Sequence, residues 1–238
     1  MSNQALKRIL NKDIKSIEKN NLNDLGIYVE FNEKNLFQAY ALIKGPKDSL
    51  YNCGYLFFNI EFPKNYPYAP PDVSYLSCTK TRIHPNIYVG GHKNGGKVCL
   101  SILGTWNGPK WTTVMDISTI LITIQSLLDN NPLCHEPGFS NPKNRNNSKL
   151  YSNYNEIISY ETINSLCMKN IKNIPGNFKC FENIIKDDFK KNFDEIIQKL
   201  ENKKLKNKFP FKITIPYYRN NVIIDYHLLH EKLLNINL

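Results

Sequence analysis

Residues 83–111 read IHPNIYVGGHKNGGKVCLSILGTWNGPKW and are the most informative segment of the chain. It begins with a His-Pro-Asn turn, continues through a polar, glycine-rich segment, and enters a short apolar run, residues 98–102, that contains Cys99. In this run the apolar residues alternate with Cys99 and Ser101, which is typical of an extended segment with one buried face. We therefore expect the Cys99 side chain to point away from the core on a rigid segment, so that solvent can reach its thiol.

Several residues near this thiol could carry chemistry, and each also has a structural interpretation. Asn86 follows a proline and is by default a turn former, but its amide could also stabilise the oxyanion that forms when a thioester carbonyl is attacked. His84 could act as a general base or hold the turn. A further alternative is a zinc site, although no pair of its ligands would have the usual spacing. Its ligands would be Cys78, His84, His92 and Cys99.

Composition and charge bound the class of protein. The 238 residues include 31 basic and 21 acidic side chains, giving a net charge of +10 that is spread along the chain. We interpret this excess as a lysine-rich surface and not as a nucleic-acid site. The 6 cysteines include no C-x-x-C pair, which favours reduced thiols over a zinc site or a disulfide scaffold.

The distribution of apolar residues gives no sign of a membrane or secretory segment. No apolar run reaches about 18 residues, the length that a membrane-spanning helix requires. The N-terminal residues carry charges throughout and lack the apolar centre of a signal peptide. We therefore expect a soluble protein of the cytoplasm, or of the nucleus, with no membrane partner.

Hydrophobic periodicity predicts the order of the elements. An amphipathic helix at residues 4–20 precedes four short strands joined by turns, at 27–31, 36–43, 55–62 and 73–76. Short connections of this kind imply an antiparallel meander. After residues 83–111 come a largely buried helix at 112–129 with a capping box at Thr113, a loop at 130–147, and helices at 154–172, 181–205 and 226–234. The pattern predicts an α+β fold.

These motifs, in this order, closely resemble the ubiquitin-conjugating enzyme (E2) family over residues 4–140. The matching motifs are Tyr66-Pro67-Tyr68-Ala69-Pro70-Pro71, His84-Pro85-Asn86, the run at residues 96–103, and Trp111. The loop at residues 104–111 and the Glu136-Pro137-Gly138-Phe139 segment resemble the Z-type branch. The resemblance implies the UBC fold at residues 1–150 and a C-terminal helical extension at residues 151–238.

The resemblance implies a transthiolation reaction. Cys99 would accept ubiquitin or a ubiquitin-like modifier as a thioester from an activating enzyme (E1). It would then pass the modifier to a substrate lysine or to a ligase (E3), a transfer that suits a thiolate nucleophile and leaving group. Asn86 matches the family asparagine that stabilises the oxyanion or holds the active-site loop. The activating enzyme consumes the ATP, so this chain, expected to be a monomer, would need no cofactor.

Other roles follow from position in the family pattern. The basic stripe of the first helix, chiefly Lys7, Arg8 and Lys12, resembles the surface that meets the activating enzyme. A second set matches the loops that usually contact ligases. It comprises Pro67, Tyr68, Thr112, Thr113 and Val114.

The sequence departs from the family pattern at two places beside the thiol. The segment between Asn86 and Cys99 is longer than in most members, through residues 89–96. The acidic residue that many members set beside the cysteine, to steer or deprotonate the incoming lysine, falls near His135, and His135 or Glu136 could replace it. Cys134 near Cys99 would form a redox-sensitive pair.

Two rival functions come from other classes. A catalytically inactive E2 variant would act as a ubiquitin-binding or ligase-binding module, but such variants typically lose the cysteine, which is present here. A cysteine and histidine metal-binding protein would instead contain stoichiometric zinc.

Overall fold

The computed structural model describes residues 2–141 and 148–236, and these form two units that interleave along the chain. The first unit contains Met1–Lys44, Leu56–Ser77 and Asn86–Leu128, and the second contains Gly45–Tyr55, Cys78–Pro85 and Asp129–Leu238. The predicted division into a conjugating core at residues 1–150 and an extension at 151–238 stays a prediction. The last part of the predicted loop at 130–147 lies outside the described residues.

The first unit begins with the predicted N-terminal helix. Its parts are α1 (Ser2–Arg8), a π-helical segment (Ile9–Asp13) and α2 (Ile14–Lys19), which follow one another without a break. Ile9 is fully buried, as the amphipathic pattern predicts, but Leu10 is 46% exposed and Ala5 and Asp13 complete the buried face instead. This element confirms the helix expected at residues 4–20.

A six-stranded sheet follows the helix. Its strands are β1 (Ile27–Phe31), β2 (Gln38–Lys44), β3 (Tyr55–Glu61), β4 (Asp72–Leu76), β5 (Ile87–His92) and β6 (Gly95–Val98). Their order across the sheet is β1-β2-β3-β4-β6-β5. The first four strands confirm the predicted meander. The other two strands were not predicted: the glycine-rich segment between Asn86 and Cys99 forms an antiparallel hairpin.

Glycine allows this hairpin to join the sheet. A Cβ atom at Gly96 would lie 1.6 Å from the carbonyl oxygen of Tyr88. A Cβ atom at Gly95, whose φ is +145°, would lie 2.5 Å from the carbonyl oxygen of Tyr75. Only glycine fits at these two places. The same glycines weaken the strand signal of the segment, so in sequence the segment resembles a loop.

The central helix α3 (Ile117–Ser126) starts later than predicted. Its N-cap is Asp116, whose carboxylate accepts a hydrogen bond from the Thr119 N–H at 3.2 Å. The predicted cap at Thr113 was therefore wrong, because the chain enters the helix only where a carboxylate satisfies its free N–H groups. Ile120, Leu121 and Ile124 are fully buried, which confirms the expected burial of this helix.

A buried carboxylate joins the first helix to the start of α3. Asp13 is fully buried and accepts hydrogen bonds from the Tyr66 hydroxyl at 2.6 Å and from the Ile117 N–H at 2.9 Å. Burial raises the pKa of this carboxyl above its ordinary value, although the two hydrogen bonds and the Arg8 charge partly offset the effect. One side chain therefore links three separate segments of the first unit.

The second unit is mostly helical. Its long first helix runs through α4 (Ser148–Glu161), a π-helical segment (Thr162–Lys169) and α5 (Asn170–Lys172), and later come α6 (Glu182–Lys206) and α7 (Tyr226–Leu234). These elements confirm the three predicted helices. The sequence reading assigned no strands here, yet β7 (Phe211–Ile215) and β8 (Asn220–Ile224) form an antiparallel pair.

Several polar groups in the core of the second unit are hydrogen-bonded. The Tyr55 hydroxyl donates to Asp188 at 3.0 Å, and the Asn170 side chain donates to the Tyr55 carbonyl at 2.6 Å. The buried Glu161 accepts from the Ser165 hydroxyl. Among the helices of residues 2–141 and 148–236, none is both long enough and apolar enough to cross a membrane.

Removing the Asp13 carboxylate should destabilise the first unit. Asp13→Ala should lower the free energy of unfolding by about 2–4 kcal/mol, because the Tyr66 hydroxyl and the Ile117 N–H lose a buried acceptor. Asp13→Asn should cost less at neutral pH, because its amide oxygen still accepts both bonds and no charge is buried. The folded-state pKa of Asp13 is raised, so the contribution of Asp13 to the free energy of unfolding declines as pH rises through that pKa. As pH rises, wild type should therefore lose stability relative to Asp13→Asn.

Urea unfolding followed by circular dichroism, at about pH 5 and about pH 8, measures these differences. The matched control is Asp24→Ala, which removes an exposed carboxylate near the same helix and should change stability little. Equal losses for Asp13→Ala and Asp24→Ala would contradict the structural role given to Asp13.

Candidate active site

Cys99 and Asn86 hold each other through their backbone and side chain. The Cys99 N–H donates to the Asn86 carbonyl at 2.8 Å, and the Asn86 side-chain amide donates to the Cys99 carbonyl at 2.8 Å. Cys99 directly follows β6, and Asn86 directly precedes β5. The base of the hairpin therefore fixes both peptide groups of the cysteine, which is the sort of rigid support that a reacting side chain needs.

Thr105 holds the same segment from its other side. Its hydroxyl donates to the Val98 carbonyl at 2.6 Å and accepts from the Leu100 N–H at 2.9 Å. The loop after the cysteine thereby folds back on the residues that flank Cys99. Sequence reasoning noticed this loop only as a family motif and missed Thr105 as the residue that fastens it.

The expected exposure of the thiol is wrong. Cys99 is 2% exposed, and its neighbours Val98 and Leu100 are also buried. The strand ends at Val98 and the chain turns into a 3₁₀ segment (Ser101–Leu103), so the alternation of residues 98–102 does not continue as a strand with two faces. Because the residue is almost inaccessible, we expect the reaction of Cys99 with another protein to involve a local opening.

The geometry of Asn86 bears on its two possible roles. Its side chain is buried at 8% exposure, and the amide that would face an oxyanion donates to the Cys99 carbonyl. In this arrangement the Asn86 side chain holds the active-site loop in place. An oxyanion role would require an amide N–H directed at the reacting carbonyl, and it stays a prediction.

His84 and His135 both lie in the second unit. His84 is fully buried with its ring 6.4 Å from that of Tyr51, which favours a role in holding the turn. The His135 ring lies 5.0 Å from the His84 ring, and His135 Nε2 is 2.9 Å from a carboxylate oxygen of Asp129. Sequence reasoning missed Asp129, since nothing in the spacing of six residues through a proline turn marks the pair.

The Asp129 carboxylate is adapted to a cationic neighbour. Partial burial raises its pKa, but the His135 hydrogen bond, the Asn131 N–H and the charges of His135 and His84 outweigh this effect, and the net pKa is lowered. The stability that this carboxylate contributes is present above its unfolded pKa and is lost as pH falls through the lowered value. An Asp–His pair of this form orients an imidazole for proton transfer.

The two other candidates near His135 are Glu136 and Cys134, and each has different neighbours in the second unit. Glu136 accepts hydrogen bonds from the hydroxyls of Tyr217 at 3.0 Å and Tyr218 at 2.7 Å, so its carboxylate is occupied within the second unit. Burial and the Asp129 charge raise the pKa of the Cys134 thiol. The redox pairing of Cys134 with Cys99 stays a prediction.

The predicted surface for the activating enzyme is partly used inside the first unit. Arg8 donates to the Met115 carbonyl and Lys12 donates to the Val114 carbonyl, both at 2.5 Å. Lys7 is exposed. Two of the three predicted contact residues therefore hold the loop before α3.

The predicted ligase-contact residues lie on loops that the first unit ties together. The Trp111 indole N–H donates to the Pro67 carbonyl at 2.7 Å, which joins the proline-rich loop to the loop after the cysteine. Tyr68 is 67% exposed and Val114 is 74% exposed. Thr112 and Thr113 are also exposed. The exposure of these residues is compatible with the predicted role, which stays a prediction.

The tip of the β5–β6 hairpin is fastened to the sheet by polar side-chain contacts. His92 Nε2 lies 2.8 Å from Asp72 of β4, and Lys93 Nζ lies 2.8 Å from Glu61 of β3. The Asn94 side chain also donates to Glu61, at 2.7 Å. The segment that is longer than in most family members thus extends the sheet and is tied to it at the far end from Cys99.

The zinc alternative finds no support in the part of the chain that the structure describes. There, no three His, Cys, Asp or Glu side chains are arranged to hold a metal ion. His92, one of the proposed ligands, pairs with Asp72 instead.

Comparison with known proteins assigns the family. The profile of the family described as "Ubiquitin-conjugating enzyme" matches residues 9–162. The chain therefore belongs to the ubiquitin-conjugating enzyme family and has its UBC fold. The similarity below places it in the Z-type branch of this family.

The curated relatives include "Ubiquitin-conjugating enzyme E2 Z" of Xenopus tropicalis, 42% identical over 164 residues, which are 68% of this chain and 49% of the relative. The Homo sapiens protein of the same name is 42% identical over 162 residues, 67% of this chain and 43% of the relative. "Probable ubiquitin-conjugating enzyme E2 R521" of Acanthamoeba polyphaga mimivirus is 34% identical over 196 residues, 78% of this chain and 13% of the relative. The matched part of the chain thus spans less than half the length of each.

The burial of Cys99 predicts slow chemical modification. With iodoacetamide in excess, the exposed Cys180 should react first, and Cys99 should react on the order of 10²-fold more slowly, because its sulfur is reached only through local opening. Peptide mapping by mass spectrometry at timed intervals measures the rate at each cysteine.

Cys180→Ser is the control, and it should leave the rate at Cys99 unchanged. In denaturant all six thiols should react at similar rates. Modification of Cys99 as fast as Cys180 under native conditions would contradict the closed arrangement.

Proposed function

We propose that this chain is an active E2 in which Cys99 carries ubiquitin or a ubiquitin-like modifier as a thioester. The observation that carries the proposal is the pair of 2.8 Å hydrogen bonds between Asn86 and Cys99, in a chain of this family. These bonds hold the one thiol that the family pattern marks as nucleophile.

The reaction exchanges one thioester for another. The Cys99 thiolate attacks the carbonyl carbon of the modifier's C-terminal thioester on the activating enzyme. A carbon–sulfur bond to Cys99 forms as the bond to the activating enzyme's sulfur breaks, and that sulfur leaves as a thiolate. Because the bonds made and broken are of the same kind, the exchange needs no ATP or cofactor on this chain.

The second step moves the acyl group onward. The amine of a substrate lysine, or the thiolate of a ligase cysteine, attacks the same carbonyl carbon, and the Cys99 thiolate is the leaving group. For a lysine, the attacking amine must lose a proton, and we assign its acceptance to His135 oriented by Asp129. This assignment and the oxyanion role of Asn86 are part of the proposal.

Partners and location follow from the same proposal. The partners are the modifier, an activating enzyme, a ligase and the substrate proteins, with no nucleic acid or membrane, and the chain acts as a monomer in the cytoplasm or nucleus. The inactive-variant alternative is not favoured, because both Asn86 and Cys99 are present and hold each other.

Charging assays test the role of Cys99. With an activating enzyme, ATP and modifier, wild type should form an adduct that a reducing agent removes, and Cys99→Ser should form one that resists it, because an ester replaces the thioester. Cys99→Ala should form none, while the control Cys180→Ser should charge as wild type does. Denaturing gels with and without reductant measure all four, and a reducible adduct on Cys99→Ala would refute the assignment.

Single-turnover discharge onto free lysine tests Asn86. Asn86→Ala should charge but discharge about 10–10² times more slowly if its amide stabilises the oxyanion. Thermal melting separates this effect from loop loosening, since loss of one hydrogen bond should lower the free energy of unfolding by only about 1 kcal/mol. Normal discharge would show that Asn86 acts only by holding the loop.

The pH dependence of the same discharge tests His135. His135→Ala should slow the reaction by about 10²-fold and flatten its pH dependence between about pH 5 and 8. Asp129→Asn should also slow the discharge, because the His135 ring loses the carboxylate that orients it. Glu136→Gln is the matched control. An unchanged profile for His135→Ala would remove this residue as the base.

A further inference from the structure

The end of α6 and the residues after it form a basic segment with exposed apolar side chains. Residues 200–212, LENKKLKNKFPFK, contain five lysines and a single acidic residue, Glu201. Leu205 is 79% exposed and Phe209 is 80% exposed. The family profile matches residues 9–162, so this segment lies beyond it.

The exposure of Leu205 follows from the register of the helix. The buried stripe of α6 is formed by Ile185, Phe189, Ile196 and Leu200. Leu205 comes five residues after Leu200 and is rotated about 140° around the helix axis from it. Leu205 therefore cannot share the face that packs into the second unit, and its apolar surface has no role in forming the core.

Beside Leu205, a cavity of about 480 Å³ opens where α6 faces α7. It is lined by Glu201, Lys204, Leu205, Lys208 and His227. Cavities that accept ligands or anchoring side chains measure about 300–1,000 Å³. The cavity is thus large enough for a bulky apolar side chain.

The charges at the rim of this cavity favour an anionic occupant. Lys204 Nζ lies 3.3 Å from His230 Nδ1, and His230 Nε2 lies 3.9 Å from Glu201 Oε1. Glu201, the single acidic residue of the segment, therefore already has a histidine beside it. Lys203 instead turns toward Glu156, at 2.5 Å, and belongs to the interior contacts of the unit. Lys204 and Lys208 leave the rim with an excess of positive charge.

We propose that this α6–α7 surface, defined by Lys204, Leu205, Lys208, Phe209 and His227, docks an acidic segment of a partner protein that carries a large apolar anchor. The anchor fills the cavity against Leu205, and carboxylates on either side of it pair with the rim lysines, as in other peptide-recognition grooves. A nucleic acid would match the lysines but leave the apolar cavity unfilled. A flat lipid surface would not enter a concave site. The proposal uses only the second unit and is independent of the reaction at Cys99.

Fluorescence anisotropy on the full chain tests this proposal with a labelled peptide of Asp and Glu residues that contains one Leu and one Phe. Leu205→Ser and the double variant Lys204→Glu/Lys208→Glu should each weaken binding at least about tenfold, equivalent to about 1.4 kcal/mol. Leu205→Met should bind as wild type does, because it keeps the apolar bulk. Circular dichroism checks that every variant is folded.

The matched control is Lys190→Glu/Lys191→Glu, which makes the same charge change at exposed positions of the same helix. It should bind as wild type does, and a peptide with Ser in place of Leu and Phe should bind at least about tenfold more weakly. No binding to wild type, equal loss in the control variant, or equal binding of the Ser peptide would overturn the proposal. Tighter binding of a DNA duplex or an anionic vesicle than of the peptide would overturn it as well.

Discussion

The two hydrogen bonds between Asn86 and Cys99 are the constraint on which the rest of the site depends. They run in opposite directions and close the base of the β5–β6 hairpin, so any shift in the register of that hairpin would move the cysteine. The register depends in turn on Gly96, because only glycine fits at this position against the Tyr88 carbonyl. A glycine-rich segment thus sets the position of the Cys99 thiol.

Around this hairpin, the first unit is held together by a few side chains that each join distant segments. Asp13 connects the first helix to the proline-rich loop and to α3, and Trp111 connects that loop to the one after the cysteine. Arg8 and Lys12 reach the carbonyls before α3. As a result, Arg8 and Lys12, which are predicted to contact the activating enzyme, also support the loop that is predicted to contact ligases. A partner that draws either side chain away from its carbonyl would therefore also disturb that loop.

Periodicity and motif order were enough to predict the helices, the first four strands and the family, because those features depend on local patterns. The β5–β6 hairpin escaped prediction because its glycines have low strand propensity, and their role depends on the approach of neighbouring strands. The burial of Cys99 escaped it because β6 ends at Val98, whereas the alternation of residues 98–102 predicts an extended segment that continues past the cysteine. The pairing of Asp129 with His135 depends on a turn whose geometry no spacing rule reveals.

We propose that Cys99, among the chain's six cysteines, carries the modifier. Site-resolved mass spectrometry tests it most directly: wild type is charged with an activating enzyme, ATP and modifier, digested in acid without reductant, and searched for the modifier's C-terminal remnant. We expect the remnant on Cys99 alone, and we expect it to be lost when a thiol is added. A remnant on another cysteine, or on none with any activating enzyme and modifier supplied, would contradict it.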